Sequence, residues 1–426
     1  MIMLRFLFKG MIRDKHRSLF PVIVVAFGVF LTTVVYSFIN GQINEMVHSN
    51  AVMDTGHLKI ITRAYYKLAG QVPNDLGLTG VGKLLNLLRN KYSDYDWTPR
   101  IKFTGLLDVP DENRETKAQY RVFGLALNLF DKGSKEKGRL NLDNAIVKGK
   151  APAKTGEILI SEVLAERMGI KIGDQVTILS TNSGGSMAVQ NFTVSGTVRF
   201  GIDAMDRGAI ITDLTGMQYM LEMPDGAGMI LGFRKNNFYL PEEAEKIKND
   251  FNSMYAGSKD KYSPFMLTLG EQNGLREYLQ YVNAVGLIII AIFLFAMSIV
   301  LLNSGLMSAI RRYGEIGVRL ALGEAKDWIY KTLLYESLFI GFIGSVIGII
   351  IGLAVSYYMQ EVGIDISDTL RNSTTLVPNL IRAKINFTSF YIGFIPGLIA
   401  SLIGTAFSGI QIFKRQTASL FKELEV

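Results

Sequence analysis

The chain has 426 residues, 49% of them hydrophobic, with a net charge of +7, three histidines and no cysteine. So apolar a composition excludes an ordinary soluble enzyme, and the lack of cysteine excludes disulfides, thiolate metal sites and thiol nucleophiles. His16, His48 and His57 are scattered and make no metal-ligating pattern.

Residues 1–18 (MIMLRFLFKGMIRDKHRS) set Ile2, Leu4, Phe6 and Leu7 among basic residues. This suits either an amphipathic helix on the inner leaflet or plain basic flanking of the span that follows. Residues 19–39 form a first apolar block long enough to cross a bilayer. The run exceeds the ~7–15 residues of a signal-peptide core and no small-x-small cleavage site follows, so it reads as a retained anchor.

The segment 40–281 opens with a helical stalk, NGQINEMVHSNAVM, and a β-branched strand in TGHLKIIT, so a folded domain starts near Gly56. GLTGVGKL at 77–84 almost spells a phosphate-binding loop. However, Leu84 stands where the Mg²⁺-binding hydroxyl belongs, and Pro73, Asn74 and Asp75 predict a turn in place of the buried strand that must deliver the loop. Further on, GEILIS predicts a strand, EVLAERMG a short helix, KIGD a turn and QVTIL a strand. In NFTVSGTVRF, Phe192, Val194, Val198 and Phe200 keep a period of two, which predicts one buried face. GAIIT predicts a strand and DLTGMQYML a helix, and Pro241 with Glu242 and Glu243 marks another helix start. The domain is therefore mixed α/β. It offers no acid/base pair or nucleophile set, and its carboxylates read as solvated surface.

Three further apolar blocks, 282–302, 333–359 and 387–413, complete four spans, separated by the segments 303–332 and 360–386 and followed by the tail 414–426. Arg5, Lys9, Arg13, Lys15 and Arg17 precede the first span, Arg311, Arg312, Arg319, Lys326 and Lys331 lie between the second and third, and Lys414 and Arg415 follow the fourth. The positive-inside rule makes these segments and both termini cytoplasmic. The basic excess thus serves topology and predicts no nucleic acid partner. It also puts 40–281 outside, with GLTGVGKL away from cytoplasmic ATP. The fold class expected is an integral membrane α-helical protein with four transmembrane helices and a large mixed α/β extracytoplasmic domain inserted between the first and second.

In the third span Gly341, Gly344, Gly348 and Gly352 recur at three- and four-residue steps, and Gly393, Gly397, Ser401 and Thr405 repeat the device in the fourth, where Pro396 is expected to bend the helix. Small residues at this interval let helix backbones approach closely, either within one chain or between subunits. Glu336, near the cytoplasmic start of the third span, needs a partner or a route to water. At the outer ends of the first two spans, Phe38, Ile39 and Val282 are candidate contacts for acyl chains, or ordinary span residues.

The loop between the second and third spans contains RRYGEIGVRLALGEAKDWI. Ile316, Leu320 and Leu322 form an apolar ridge, Arg311, Arg312, Glu315 and Arg319 a charged flank, and Gly314 and Gly323 bracket the segment. With its EIG and ALG cores, Glu315-Ile316-Gly317 and Ala321-Leu322-Gly323, followed by the glycine-stepped span, this stretch resembles the FtsX-like permeases of ABC transporters, which include MacB and the LolC/LolE lipoprotein-release subunits. The resemblance covers essentially the whole chain, from the order of spans to the QTASLFKE tail, and GHLKI and ILISEVLAERMGIKIGDQVTIL resemble the LolC/LolE external domain.

The family implies a coupling helix, here about Gly314 to Leu322, seated in a separate cytoplasmic ABC ATPase dimer that binds ATP and Mg²⁺; this chain itself would bind no cofactor. It implies a second permease chain, identical or related, in the bacterial inner membrane. The substrate would be a lipoprotein or other amphipathic molecule handled at the outer leaflet among membrane lipids. A MacB-like exporter of peptides or small molecules, and an FtsX-like regulator of cell-wall hydrolases, are the alternatives. In two respects the chain departs from the family pattern. The MacB ATPase is fused ahead of the first span, whereas only 18 residues precede it here. The LolC hook has as its counterpart only the short, glycine-rich STNSGGSMAVQ.

Overall fold

A computed structural model describes residues 15–111, 113, 115–201, 203–236, 239–311, 313–365 and 380–414. They form two compact units, a helical one and an α/β one inserted between Glu45 and Leu279.

Among the described residues, four helices are long and apolar enough to cross a membrane. The first, α1, runs unbroken from Lys15 to Asn50, through the span and on into the expected stalk. A wider π-helical turn, Ala51–Thr55, ends it. The α/β unit then supplies β1 (Leu58–Thr62), α2 (Val81–Lys91), β2 (Tyr95–Pro110), β3 (Thr116–Leu127), β4 (Ile146–Gly149) and β5 (Glu157–Ser161). It continues with α3 (Glu162–Met168), β6 (Gln175–Thr181), β7 (Met187–Val198), β8 (Ala209–Asp213) and α4 (Leu214–Met220). The last three elements are β9 (Met229–Arg234), α5 (Pro241–Met254) and β10 (Pro264–Thr268).

The pairings β2–β3, β3–β8, β8–β5, β5–β7, β7–β6 and β6–β2 close a ring of six strands. Closure leaves no free edge among these strands. Ile101, Phe103, Ile158, Ile178, Phe192 and Ile210 are part of its core. The long strand β2 belongs to two bodies at once. Its start, Tyr95 to Arg100, pairs with β9, which carries β1 and β10 beside it. Helices α2 and α5 cover that second sheet through Leu88, Phe251 and Trp97.

The period-two reading of β7 needs correction. Phe192 and Val194 enter the ring core, whereas Val198 and Phe200 enter a separate cluster with Leu125, Leu159 and Val52. The cause is a register shift: Ile158 faces Val194 but Leu159 faces Gly196. The extra residue, Ser195, turns the rest of the strand over, so one sequence period serves two faces.

After β10 come the helices α6 (Leu275–Arg311), α7 (Tyr313–Ala321), α8 (Lys326–Glu361) and α9 (Phe394–Lys414). A short 3₁₀ turn, Phe387–Phe390, precedes α9. Pro396 therefore does not bend the fourth span. It lies in the first turn of α9, where its missing N–H has no intrahelical acceptor to lose. Exposed aromatic residues gather at both span ends, with Tyr281, Tyr357, Tyr358 and Phe387 at one end and Trp328 and Tyr335 at the other. Such belts sit at the headgroup level of a bilayer.

Candidate functional site

The glycine ridge of α8 lies against α1. A Cβ on Gly348 would stand 2.5 Å from the Ala26 carbonyl oxygen and 2.8 Å from Val29 Cβ. A Cβ on Gly344 would meet Val25 Cβ at 2.7 Å, and one on Gly352 would meet Thr33 Cβ at 2.9 Å. The four-residue step of the ridge thus meets Val25, Val29 and Thr33, which repeat at the same step on α1. Gly397 of α9 closes on Ser345 and Val29, and Gly341 lies opposite Ser401. Ser401 Oγ donates to the Ser337 carbonyl at 2.6 Å, a helix-to-helix hydrogen bond in a dry interior. These small residues serve contacts inside one chain.

Helix α7 is the region expected to couple. Its end is locked by a double backbone turn, in which the Gly323 amide donates to the Leu320 carbonyl at 3.0 Å and the Glu324 amide to the Arg319 carbonyl at 3.1 Å. Gly323 has φ +88°, which a side chain would strain. The Arg319 guanidinium adds a two-pronged pair with Glu324, both contacts at 2.6 Å. Of the expected ridge, Leu322 is 83% exposed and Leu320 half-buried, while Val318, outside that ridge, is 58% exposed. Gly317, in mid-helix, has no described atom within 4 Å of where a Cβ would sit. Glycine there costs about 1 kcal/mol of helix propensity, with no compensating contact among the described residues. Gly314 is half-buried in the same helix. Arg312 lies outside the described residues, as do the side chains of Arg311, Glu315 and Ile316 and most of the segments 1–18 and 414–426.

Of the candidate acyl-chain contacts, Ile39 packs 3.6 Å from where a Gly286 Cβ would stand, on the facing helix α6. Phe38 and Val282 are half-buried.

The site that sequence reasoning missed lies where α1 ends. Arg100 is fully buried and donates from Nη1 to the Val52 carbonyl at 2.6 Å, holding the π-helical turn. Glu136, equally buried, faces the guanidinium at 2.7 Å and also pairs with Arg139 at 2.5 Å, which reaches Asp96. Two residues beyond Val52, Asp54 pairs with Lys59 at 3.0 Å and with Lys102 at 2.5 Å. Burial disfavours the Asp54 charge, but the two ammoniums outweigh it and hold the carboxyl well below the usual carboxylate range. The start of α6 joins the same point: Asn273 donates to Asp54 and Gln272 to the Thr55 carbonyl, both at 3.3 Å. Both connections to the membrane spans are therefore tied to one charged knot. Nearby His57 accepts from the Arg234 amide at 3.0 Å. Burial, together with the charges of His48, Arg139 and Arg234, pulls its pKa down to about 4.

The phosphate-loop look-alike has a different use. The Gly82 amide donates to the Asp225 carboxylate at 2.8 Å and the Val81 amide to the Asp225 carbonyl at 3.0 Å. The chain's own carboxylate occupies the helix N-terminus where a phosphate would lie.

Residues 287–417 match the FtsX-like permease C-terminal family model. The chain is 21% identical over 283 residues to the lipoprotein-releasing system transmembrane protein LolC of Xylella fastidiosa (strain 9a5c), a match covering 63% of this chain and 66% of that protein. It is 23% identical over 277 residues to the LolC of Haemophilus influenzae, covering 62% and 64%. The chain thus spans less than two thirds of the length of these relatives. Among solved structures, the periplasmic region of MacB from Actinobacillus actinomycetemcomitans aligns with a TM-score of 0.36 and 11% identity, over 54% of this chain and 95% of that one.

Proposed function

We propose that this chain, whose C-terminal part matches the FtsX-like permease family model and which is similar to LolC, is an ABC transporter permease that couples a separate ATPase to the extraction of a lipid-anchored substrate from the outer leaflet of the bacterial inner membrane. The observation that carries this reading is α7: a short helix locked at its end, presenting Val318 and Leu322 to a partner. Exposed apolar residues on a short helix call for a groove. In this reading both termini are cytoplasmic, ATP and Mg²⁺ belong to the ATPase dimer, and two permease chains assemble. Closure of the ATPase pushes on α7, and the packed bundle moves as one body because glycine contacts leave little slack. The stalks α1 and α6 carry the motion to the knot at Asp54 and Arg100. The spans hold a single carboxylate, Glu336, which favours mechanical transmission over an ion path.

A second reading rests on the β6–β7 hairpin. Asn182 accepts from the Gly184 and Ser186 amides, and Ser183 is tied to Leu221 and Glu222, so the hairpin folds back and does not protrude. That favours a transfer without a carrier docked on a hook, as in MacB-like export or FtsX-like regulation.

The test is purification of the complex through a tag on this chain in lipid nanodiscs. An ATPase, permease chains and enriched acylated proteins are expected by mass spectrometry; tunnel and adaptor proteins, or a hydrolase, would move the assignment to the second reading. Val318→Asp with Leu322→Asp should lower substrate-stimulated ATP hydrolysis by at least about tenfold, or about 1.4 kcal/mol. Unchanged hydrolysis would remove α7 from the coupling path.

A further inference from the structure

We infer that the α/β unit contains a binding site for a phosphate group, carried by a small polar molecule or by a lipid head. A cavity of about 520 Å³ opens between the end of α1, the segment 134–139 and the end of β9. Its lining includes His48, His57, Lys135, Arg139, Arg234 and Lys235, against one carboxylate, Asp96. The volume falls within the ~300–1,000 Å³ of small-molecule sites.

The ion pairs around the cavity cancel and leave a positive remainder. Arg100 and Arg139 meet Glu136 and Asp96, and Arg234 meets Glu243. Lys135 and Lys235 line the cavity, are exposed, and make no ion pair among the described residues. The guanidiniums are held in place, Arg139 lying 3.9 Å over the Phe233 ring, and both Arg139 and Arg234 keep N–H groups that their carboxylates do not take.

A second observation lies deeper. His57 is only 3% exposed and its Nδ1 accepts from the Arg234 amide, so in the neutral ring the hydrogen is on Nε2. No described residue accepts from that Nε2–H. A buried donor without an acceptor is costly, and the cavity that His57 lines is where an acceptor can enter. A phosphate monoester brings three acceptor oxygens and a charge of about −1.5 to −2 at pH 7. That charge answers two unpaired ammoniums, which a carboxylate with its single charge does not, and ammonium and guanidinium N–H groups form strong charge-assisted bonds to phosphate oxygens.

The site does not depend on what the permease carries. The full chain, with nitrogen-15 in its histidines, would be placed in phosphatidylcholine nanodiscs and titrated with glycerol 3-phosphate, the His57 side-chain signals being assigned through His57→Asn. A saturable shift of the His57 Nε2 signal is expected. Lys135→Gln with Lys235→Gln should weaken the apparent affinity at least about tenfold, with the thermal midpoint of the unliganded chain unchanged because both lysines are exposed. Lys135→Arg with Lys235→Arg keeps both charges and should bind as the original chain does. A shift with glycerol 3-phosphate assigns the site to free phosphorylated molecules, and one that arises only when the nanodisc contains phosphatidic acid assigns it to lipid heads. No His57 shift with either probe, an equal midpoint in the double glutamine variant, or acetate binding as tightly as glycerol 3-phosphate would overturn the assignment.

Discussion

The two units of this protein are held together by opposite means. In the helical unit, close approach of backbones does the work: Gly344, Gly348 and Gly352 meet Val25, Val29 and Thr33, and a hydrogen bond from Ser401 to the Ser337 carbonyl links two spans. In the α/β unit, the point where both stalks arrive is a buried set of charges around Arg100, Glu136 and Asp54. The difference follows from the solvent. Lipid supplies no hydrophobic drive between apolar helices, so shape and dispersion must hold them, and a charge there would be expensive. Water surrounds the other unit, where a paired and hydrogen-bonded buried charge can be kept and fixes a single geometry. Stiffness thus comes from glycine contacts in one unit and from salt bridges in the other.

The largest way to break this contrast is Gly348→Leu. Its side chain would meet the Ala26 carbonyl, a backbone atom that cannot rotate away. The cost should exceed the ~1–3 kcal/mol of ordinary overpacking, and no monodisperse chain should be recovered by size-exclusion chromatography. A Gly348→Leu chain that assembles and stays active would show that the ridge is not tightly seated.

Next in size is Glu136→Ala, which leaves the guanidinium of Arg100 buried with its carboxylate removed. A loss of about 3–5 kcal/mol is expected, read as a lowered thermal midpoint of the full chain. The double change Arg100→Met with Glu136→Leu should recover most of it, because the penalty comes from the orphaned charge. If the double variant is no better than Glu136→Ala, the guanidinium's hold on the Val52 carbonyl matters more than its pairing.

A pH series sharpens the same comparison. His57 has a folded-state pKa of about 4, below the ordinary 6.5, so between those values the unfolded chain binds the proton and the folded chain does not. Stability is therefore full above about pH 6.5, falls as pH drops towards 4, and levels off below that, by up to about 3 kcal/mol. His57→Asn keeps an acceptor for the Arg234 amide and should flatten this part of the curve. An unchanged slope would assign the titration to other groups.

Much of this architecture was legible because membrane spans announce themselves by length and apolar content, and the end of α7 by Gly323; Gly314, expected to bracket that helix, lies inside it. The charged knot was not. Arg100 and Lys102 sit at the opposite parity to Ile101 and Phe103 on β2, which in isolation reads as the watered face of the strand. What covers Arg100 is Val52 and Glu136, 48 and 36 residues away in sequence, and local pattern says nothing of such partners. The misread face of β7 has a similar origin, since the bulge at Ser195 shows only in the pairing with β5. Pro396 was misjudged because the span was measured by apolar content, whereas the helix begins at Phe394.

The smallest predicted effect returns to GLTGVGKL. If the first turn of α2 is satisfied by Asp225, removing that carboxylate should cost about 1 kcal/mol, the usual value of a helix cap, and leave the rest of the domain intact. Asp225 also has φ +50°, a conformation that asparagine tolerates and alanine does not. Asp225→Asn keeps an acceptor for the Gly82 amide and the backbone tolerance, so it should cost only a few tenths of a kcal/mol. Asp225→Ala loses both and should cost the most, while Asp225→Gly loses only the acceptor and should fall between. An order of Ala, Gly, Asn by decreasing loss in chemical denaturation of the full chain would establish the carboxylate as the cap. Equal losses in all three would mean that the turn, held by the Val81 amide on the Asp225 carbonyl, carries this helix start without the side chain.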